Sequence, residues 1–300
     1  MANTFAPNGF QQYSGAGSLP TYEQIELPIA SGNTTPIFFG DPVVQATGTT
    51  GVGTGYIAQA AAPQALAISG FALSNGLVTA TFTSTTAPAI GSTLVLAGLT
   101  TATTLNGSWQ ILSSTVTTAV FAYSGAALST QATTGYVFTP VAGIFVGCKY
   151  NSVSQKRTVW SNYWPGSDAN GDVTAYVVND PNARFIVQTG NSNTTATAVG
   201  LSAIGQNIGV TTSQSGVTTT NGNTASGLST FMVDQYTLAA NYPAGYASNN
   251  FLPFRVVALA NYTVGAVSPL ATINGNDATT AYNRIVVGFN NSMPRGFAGI

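Results

Sequence analysis

Apolar residues in this chain come in short runs closed by Gly, Asn, Ser or Asp, and the runs are rich in β-branched and aromatic side chains. That is the signature of strands. The first set of predicted strands is ALAISG (65–70), LVTATFT (77–83), STLVLAGL (92–99), GSWQILSST (107–115), TAVFAYSG (118–125) and GYVFT (135–139). A second set is VAGIFVGCKY (141–150), VTAYVVND (173–180), ARFIVQTG (183–190), STFMVD (229–234), FRVVALA (254–260) and NRIVVGFN (283–290). Alternation in 183–190 and 283–290 assigns Phe185, Val187, Ile285 and Val287 to strand faces. Asn75-Gly76 and Asn106-Gly107 mark hairpins, because both residue types tolerate positive φ. No window carries a helical stripe, so the whole chain is expected to be all-β.

Spacing divides the chain further. Over residues 1–35, aromatics and prolines are separated by Gly and Ser, with Glu23 and Glu26 and no cation. Prolines and glycines interrupt helices, and isolated aromatics act as anchors. The expectation is an extended N-terminal arm whose anchors Phe5, Phe10, Tyr13 and Tyr22 seek pockets on a shell or a neighbouring subunit, with a reach on the order of 100 Å. Residues 48–64 read as a Gly-, Thr- and Ala-rich connector. Residues 65–139 then form a compact inserted β module, and 36–64 with 140–300 form a β-barrel or sandwich core. The polar stretch 191–228 is either a long surface loop or a segment that orders only against a neighbour.

Charge narrows the functional classes. Only 5% of residues are charged, His is absent, and no Asp, Glu, Lys or Arg occurs between Asp41 and Lys149. Proton-transfer catalysis draws on His or on tuned carboxylates and lysines, so an enzyme is not expected. The cations Lys149, Lys156, Arg157, Arg184, Arg255, Arg284 and Arg295 form no patch able to displace counterions from phosphates, so nucleic acid is not an expected partner. No apolar run approaches the roughly 18–20 residues of a spanning helix, so no membrane partner is expected either. The N-terminus lacks the basic start and apolar core of a secretory signal, and the single cysteine, Cys148, has no internal partner for a disulfide.

Two stretches resemble known families. The pieces SNGLVTATF, IGSTLVLAGL, LNGSWQIL and TTAVFAYSG resemble a phage-borne immunoglobulin-like β-sandwich module. That resemblance implies an optional, surface-displayed insertion with Trp109 and Tyr123 in its core. The order GIFVGCKY, SNYWPG, AYVVNDPNARFIVQTG, TASGLSTFMVD, PFRVVALA and NRIVVGFNNSMPRG resembles the capsid decoration, or cement, proteins of tailed phages. It covers roughly 136–295, with 36–46 as a partner strand across the insertion. Asn179, where that family often has an acid, and the long 191–228 stretch depart from its pattern.

Local candidates for chemistry each have a bland reading beside the sharp one. Asp168-Ala169-Asn170-Gly171-Asp172 opens like a calcium loop, but its Gly is misplaced and no Glu closes it, so an Asx-rich turn is favoured. Asn179-Asp180-Pro181-Asn182 is likewise a turn. Cys148 lies within a predicted strand and reads as a small buried hydrophobe rather than a nucleophile. Trp160, Tyr163, Trp164 and Pro165 form either an internal aromatic cap, the favoured reading, or a sugar-stacking platform. No catalytic residue, metal or cofactor is expected.

A cementing protein must gain interface energy that survives changes of salt. Exposed ion pairs contribute about 0–1 kcal/mol each, whereas apolar burial at about 25 cal/mol per Å2 and backbone pairing along sheet edges are less screened. The expected role is therefore a structural virion protein on the outer capsid surface, made in the host cytoplasm. Its expected partners are the phage major capsid protein and neighbouring copies of itself. The alternative is a tail-fibre or adhesin-like protein that binds a receptor or glycan.

Overall fold

The computed structural model describes residues 3–14, 23–61, 63–125, 131–217, 221–238, 249–260, 272–273 and 276–293. Among them the only helical segments are the 3-10 turns Thr103–Leu105, Leu201–Ala203 and Gln235–Leu238, and the fold is all-β.

Five strands close into a barrel: Arg184–Gly190, Met232–Asp234, Asn207–Thr211, Phe254–Leu259 and Arg284–Phe289, in that cyclic order. Closure comes from the antiparallel pairing of 184–190 with 284–289, which sets Phe185 opposite Val287 and Val187 opposite Ile285. All four are buried in one core with Ile208, Val233, Phe254, Val256 and Phe289. A bulge between Val256 and Ala258 adds the bend that a small barrel needs.

Residues 3–14 pack on the chain's own barrel. The three-residue strand Met232–Asp234 pairs with 184–190 only at Thr189 and Gly190. The other end of that edge, residues 184–186, is covered by the strand Gln11–Ser14. Immediately before it, Phe10 enters the barrel core at 1% exposure, its ring 4.6 Å from Phe254 and 6.2 Å from Phe185. Its entry depends on a close crossing in which Phe10 N–H donates to Gly40 O at 3.0 Å. Gly9 has φ +72°, and a Cβ there would lie 2.5 Å from Ser229 Cβ, so only glycine fits. Further back, Gln188 accepts from Ala6 N and donates to Thr4 O, while the Asn3 side chain exchanges hydrogen bonds with Asp277 backbone. Apolar anchors go to the nearest unfilled pocket, and here the chain's own barrel provides it.

A second, curled sheet runs in the order Ile25–Ile29, Val173–Val178, Val141–Asn151, Pro42–Thr47, Gly53–Gln59, with Thr158–Ser161 beside the far end of Val141–Asn151. Ile144 and Val178 face the barrel core, whereas Phe145 and Val177 join Ile29, Val43 and Trp164 in a separate core. Burial on both faces explains why 141–148 is almost continuously apolar rather than alternating. The strand Gly53–Gln59 corrects the reading of 48–64 as a connector. It is held by pairing Val43, Val44 and Gln45 with Gln59, Ala58 and Ile57, and it buries one large side chain, Ile57. Backbone pairing of this kind leaves no periodic side-chain signal. Similarly, Asn207–Thr211 lies inside the polar 191–228 stretch and is a full member of the barrel.

Residues 64–125 and 131–138 form two four-stranded sheets around their own core, which includes Leu66, Val78, Leu94, Phe121 and Tyr123. Asn75 and Gly76 both have positive φ, at 51° and 75°, and join Ser74 to Leu77 as the two-residue hairpin expected of Asn-Gly. Asn106-Gly107 does something else. Asn106 has φ −61°, and its side-chain amide brackets Leu99 through hydrogen bonds to both N–H and C=O at 2.9 Å. Tyr123 is buried, whereas Trp109 is half-buried over Phe121 and donates from Nε1 to Leu105 O. The chain enters and leaves this sandwich side by side, with Gln64 paired to Val137. Phe138 packs on Phe251 at 4.3 Å, and a cleft of about 710 Å3 separates the sandwich from the strands below.

Candidate functional site

The four sequence-predicted anchors have different fates. Phe10 is core, and Phe5 is half-buried with its ring edge-on to Tyr282 at 5.2 Å. Tyr13 stands 51% exposed on Gln11–Ser14, the strand that ends the barrel sheet. Tyr22 lies outside the described residues. Of the three that are described, Tyr13 offers the most surface to a partner.

The aromatic cluster 160–165 splits between the two readings given to it. Trp164 is fully buried, exchanges backbone hydrogen bonds with Ile37, donates from Nε1 to Asn33 O and meets Tyr150 edge-on at 5.4 Å. It caps the core of the curled sheet. Tyr163 stacks on Phe38 at 5.5 Å. Trp160 points the other way and is 66% exposed. Its ring lies parallel to Tyr176, with centroids 5.5 Å apart and planes inclined by 10°, and Lys149 Nζ stands 5.3 Å from the indole centroid.

That contact spans the middle strand of the sheet. Trp160 and Tyr176 sit on strands at opposite sides of Val141–Asn151, where Lys149 pairs with Trp160 and Gly147 with Tyr176. Two strand spacings of about 4.8 Å separate their backbones, so the rings meet only by leaning over the middle strand. A shallow cleft of about 450 Å3 opens beside the pair, lined also by Gln24, Val146, Ser161 and Asn162. Alternation in VTAYVV shows that Tyr176 shares a face with Thr174, but only the strand order reveals Trp160 as its partner.

The acids are mostly occupied with the fold. Asp168, at φ +76°, accepts from Ser152 Oγ, Ser154 N and Ser154 Oγ, and these hydrogen bonds hold its carboxyl below the usual range. The loop is tied by its own serines, as the Asx-rich turn reading expects. Asp180 likewise accepts from Asn182 N within its turn. Asp234 is buried and raised by desolvation, with opposing hydrogen bonds from Ser192 and Tyr236. Cys148 is buried in its strand, and burial pushes its thiol up to about 12, so at neutral pH it carries no thiolate for nucleophilic chemistry.

Asp41 was not singled out by its sequence. It is fully buried where Phe10, Gly40 and Ser229 meet, and its Oδ2 accepts from Phe38 N at 2.8 Å and Gln59 Nε2 at 2.6 Å. Its Oδ1 is buried without a hydrogen-bond partner. Desolvation raises its carboxyl to about 7, against hydrogen bonds from Phe38, Ser229 and Gln59 that pull it down.

No group of three or more His, Cys, Asp or Glu residues able to hold a metal is present among the described residues. Compared with protein-family models, curated proteins and solved structures, the chain finds no match.

Proposed function

We propose that this chain is a structural virion protein that decorates and stabilises the outer surface of a tailed-phage capsid. The observation that carries the reading is the union of a closed barrel, in a chain with only 5% charged residues, with an uncharged sandwich whose two ends enter and leave side by side. Such a body can be displayed outward without interrupting the base that carries it. The base would meet the shell through apolar and backbone contacts, which salt screens little.

Within this reading the Gln11–Ser14 strand and exposed Tyr13 contribute the N-terminal part of the shell contact, since Phe10 is committed to the barrel. The major capsid protein and adjacent copies of this chain are the partners. The test is quantitative peptide mass spectrometry of purified virions. Decoration requires copies at a simple fraction of the major shell protein, whereas a handful per particle would transfer the chain to a tail appendage, and none would end the reading.

A further inference from the structure

We propose that the cleft beside Trp160 and Tyr176 binds a neutral pyranose ring of an oligosaccharide. A Trp that is 66% exposed yet held parallel to a Tyr is a pre-formed apolar wall, not a loose surface side chain. Its position is fixed by the strand that carries it and by the Tyr176 ring stacked against it. A rigid aromatic surface of this kind costs little to order on binding.

The remaining lining chooses the ligand class. Gln24, Ser161 and Asn162 offer amide and hydroxyl groups, and no lining residue is charged. Ser161 Oγ accepts from Tyr163 N, which leaves its own proton to donate, while Asn162 Nδ2 is engaged by Ser226 O, which leaves Oδ1 to accept. Beside the cleft, Lys149 at the indole and Glu26 opposite Tyr176 bring charges of opposite sign. A pyranose matches this combination, with a C–H face for the aromatic wall and in-plane hydroxyls for the amides and the serine. An aliphatic ligand would leave the polar groups unpaired. This inference does not rest on the capsid reading.

The test is isothermal titration of the purified full chain with cellohexaose, maltohexaose and chitotetraose, paired with tryptophan fluorescence. At least one probe is expected to bind saturably and perturb the emission of Trp160. Trp160→Ala should weaken that binding about tenfold or more, whereas Trp160→Tyr retains most of it, because a stacking face remains. Tyr176→Ala should fall between these. Far-ultraviolet dichroism and the thermal midpoint of the Trp160 variants should match the parent, since Trp160 is exposed. No binding of any probe at about 10 mM, or undiminished binding by Trp160→Ala, would overturn the proposal. So would sedimentation showing that Trp160→Ala instead dissolves a dimer, which would make this face a contact between copies.

Discussion

The sandwich and the barrel are both small all-β bodies with apolar cores, but they are assembled from the chain in opposite ways. The sandwich takes every strand from residues 64–138, and two pairs are joined by short turns, at Asn75-Gly76 and at 115–117. The barrel draws on 184–190, 207–211, 232–234, 254–259 and 284–289, and completes one edge with residues 11–14. One body is closed by local contacts, the other by contacts that span nearly the whole chain. The difference separates a part that can be removed from a part that any truncation reaches.

The strongest way to break that comparison is to empty each core in turn. Phe10→Ala should destabilise the barrel by about 3–5 kcal/mol, although Phe10 lies far in sequence from the five strands that close it. Phe121→Ala should cost the sandwich a similar amount and leave the barrel transition in place. Urea unfolding followed by far-ultraviolet dichroism would show the two responses. A single shared transition in both variants would show that the bodies are not energetically separable.

Asp41 sharpens the barrel side of the comparison, since its carboxyl lies where the N-terminal segment, Gly40 and Ser229 meet. Its folded value of about 7 stands above the ordinary aspartate value of 3.8, so the folded state holds a proton that the unfolded chain has released. Stability from this group is therefore fully present below about pH 4 and is lost as pH rises through about 7, by up to about 4 kcal/mol. Asp41→Asn should flatten that slope, measured as the urea midpoint from pH 4 to 8. An unchanged slope would assign the pH dependence elsewhere.

Sequence pattern revealed the sandwich and the centre of the barrel for the same physical reason. In ARFIVQTG and NRIVVGFN, alternation reports a strand with one face buried, and Phe185, Val187, Ile285 and Val287 are all core. The Gly53–Gln59 strand gave no such signal, because pairing rather than side-chain burial holds it. Asn207–Thr211 buries Ile208 within a polar stretch, too little for a period. Phe10 was legible as an anchor but not as an anchor in its own barrel, since the gap it fills exists only after distant strands meet. Trp160 was legible as an aromatic of interest, yet its partner Tyr176 depends on the order of three strands.

Removing 64–138 behind a short Gly/Ser linker should have a smaller effect. The barrel and curled sheet should remain folded, because Gln64 and Val137 are already neighbours, and the loss is confined to contacts such as Phe138 on Phe251. Shell attachment should persist, and its loss from a folded variant would place the sandwich at the shell. Tyr13→Ala is the mildest change. With Tyr13 exposed on an edge strand, the unfolding midpoint should stay within experimental error while shell attachment weakens. Unaltered attachment would remove this strand from the contact.

The most direct test of the decoration reading is co-sedimentation of the full chain with capsids stripped of it, across salt from low to about 1 M. A charge-poor interface predicts saturable binding at a fixed ratio to the shell protein, with an affinity that changes little over that range. Absence of binding, or binding that disappears as salt rises, would contradict it.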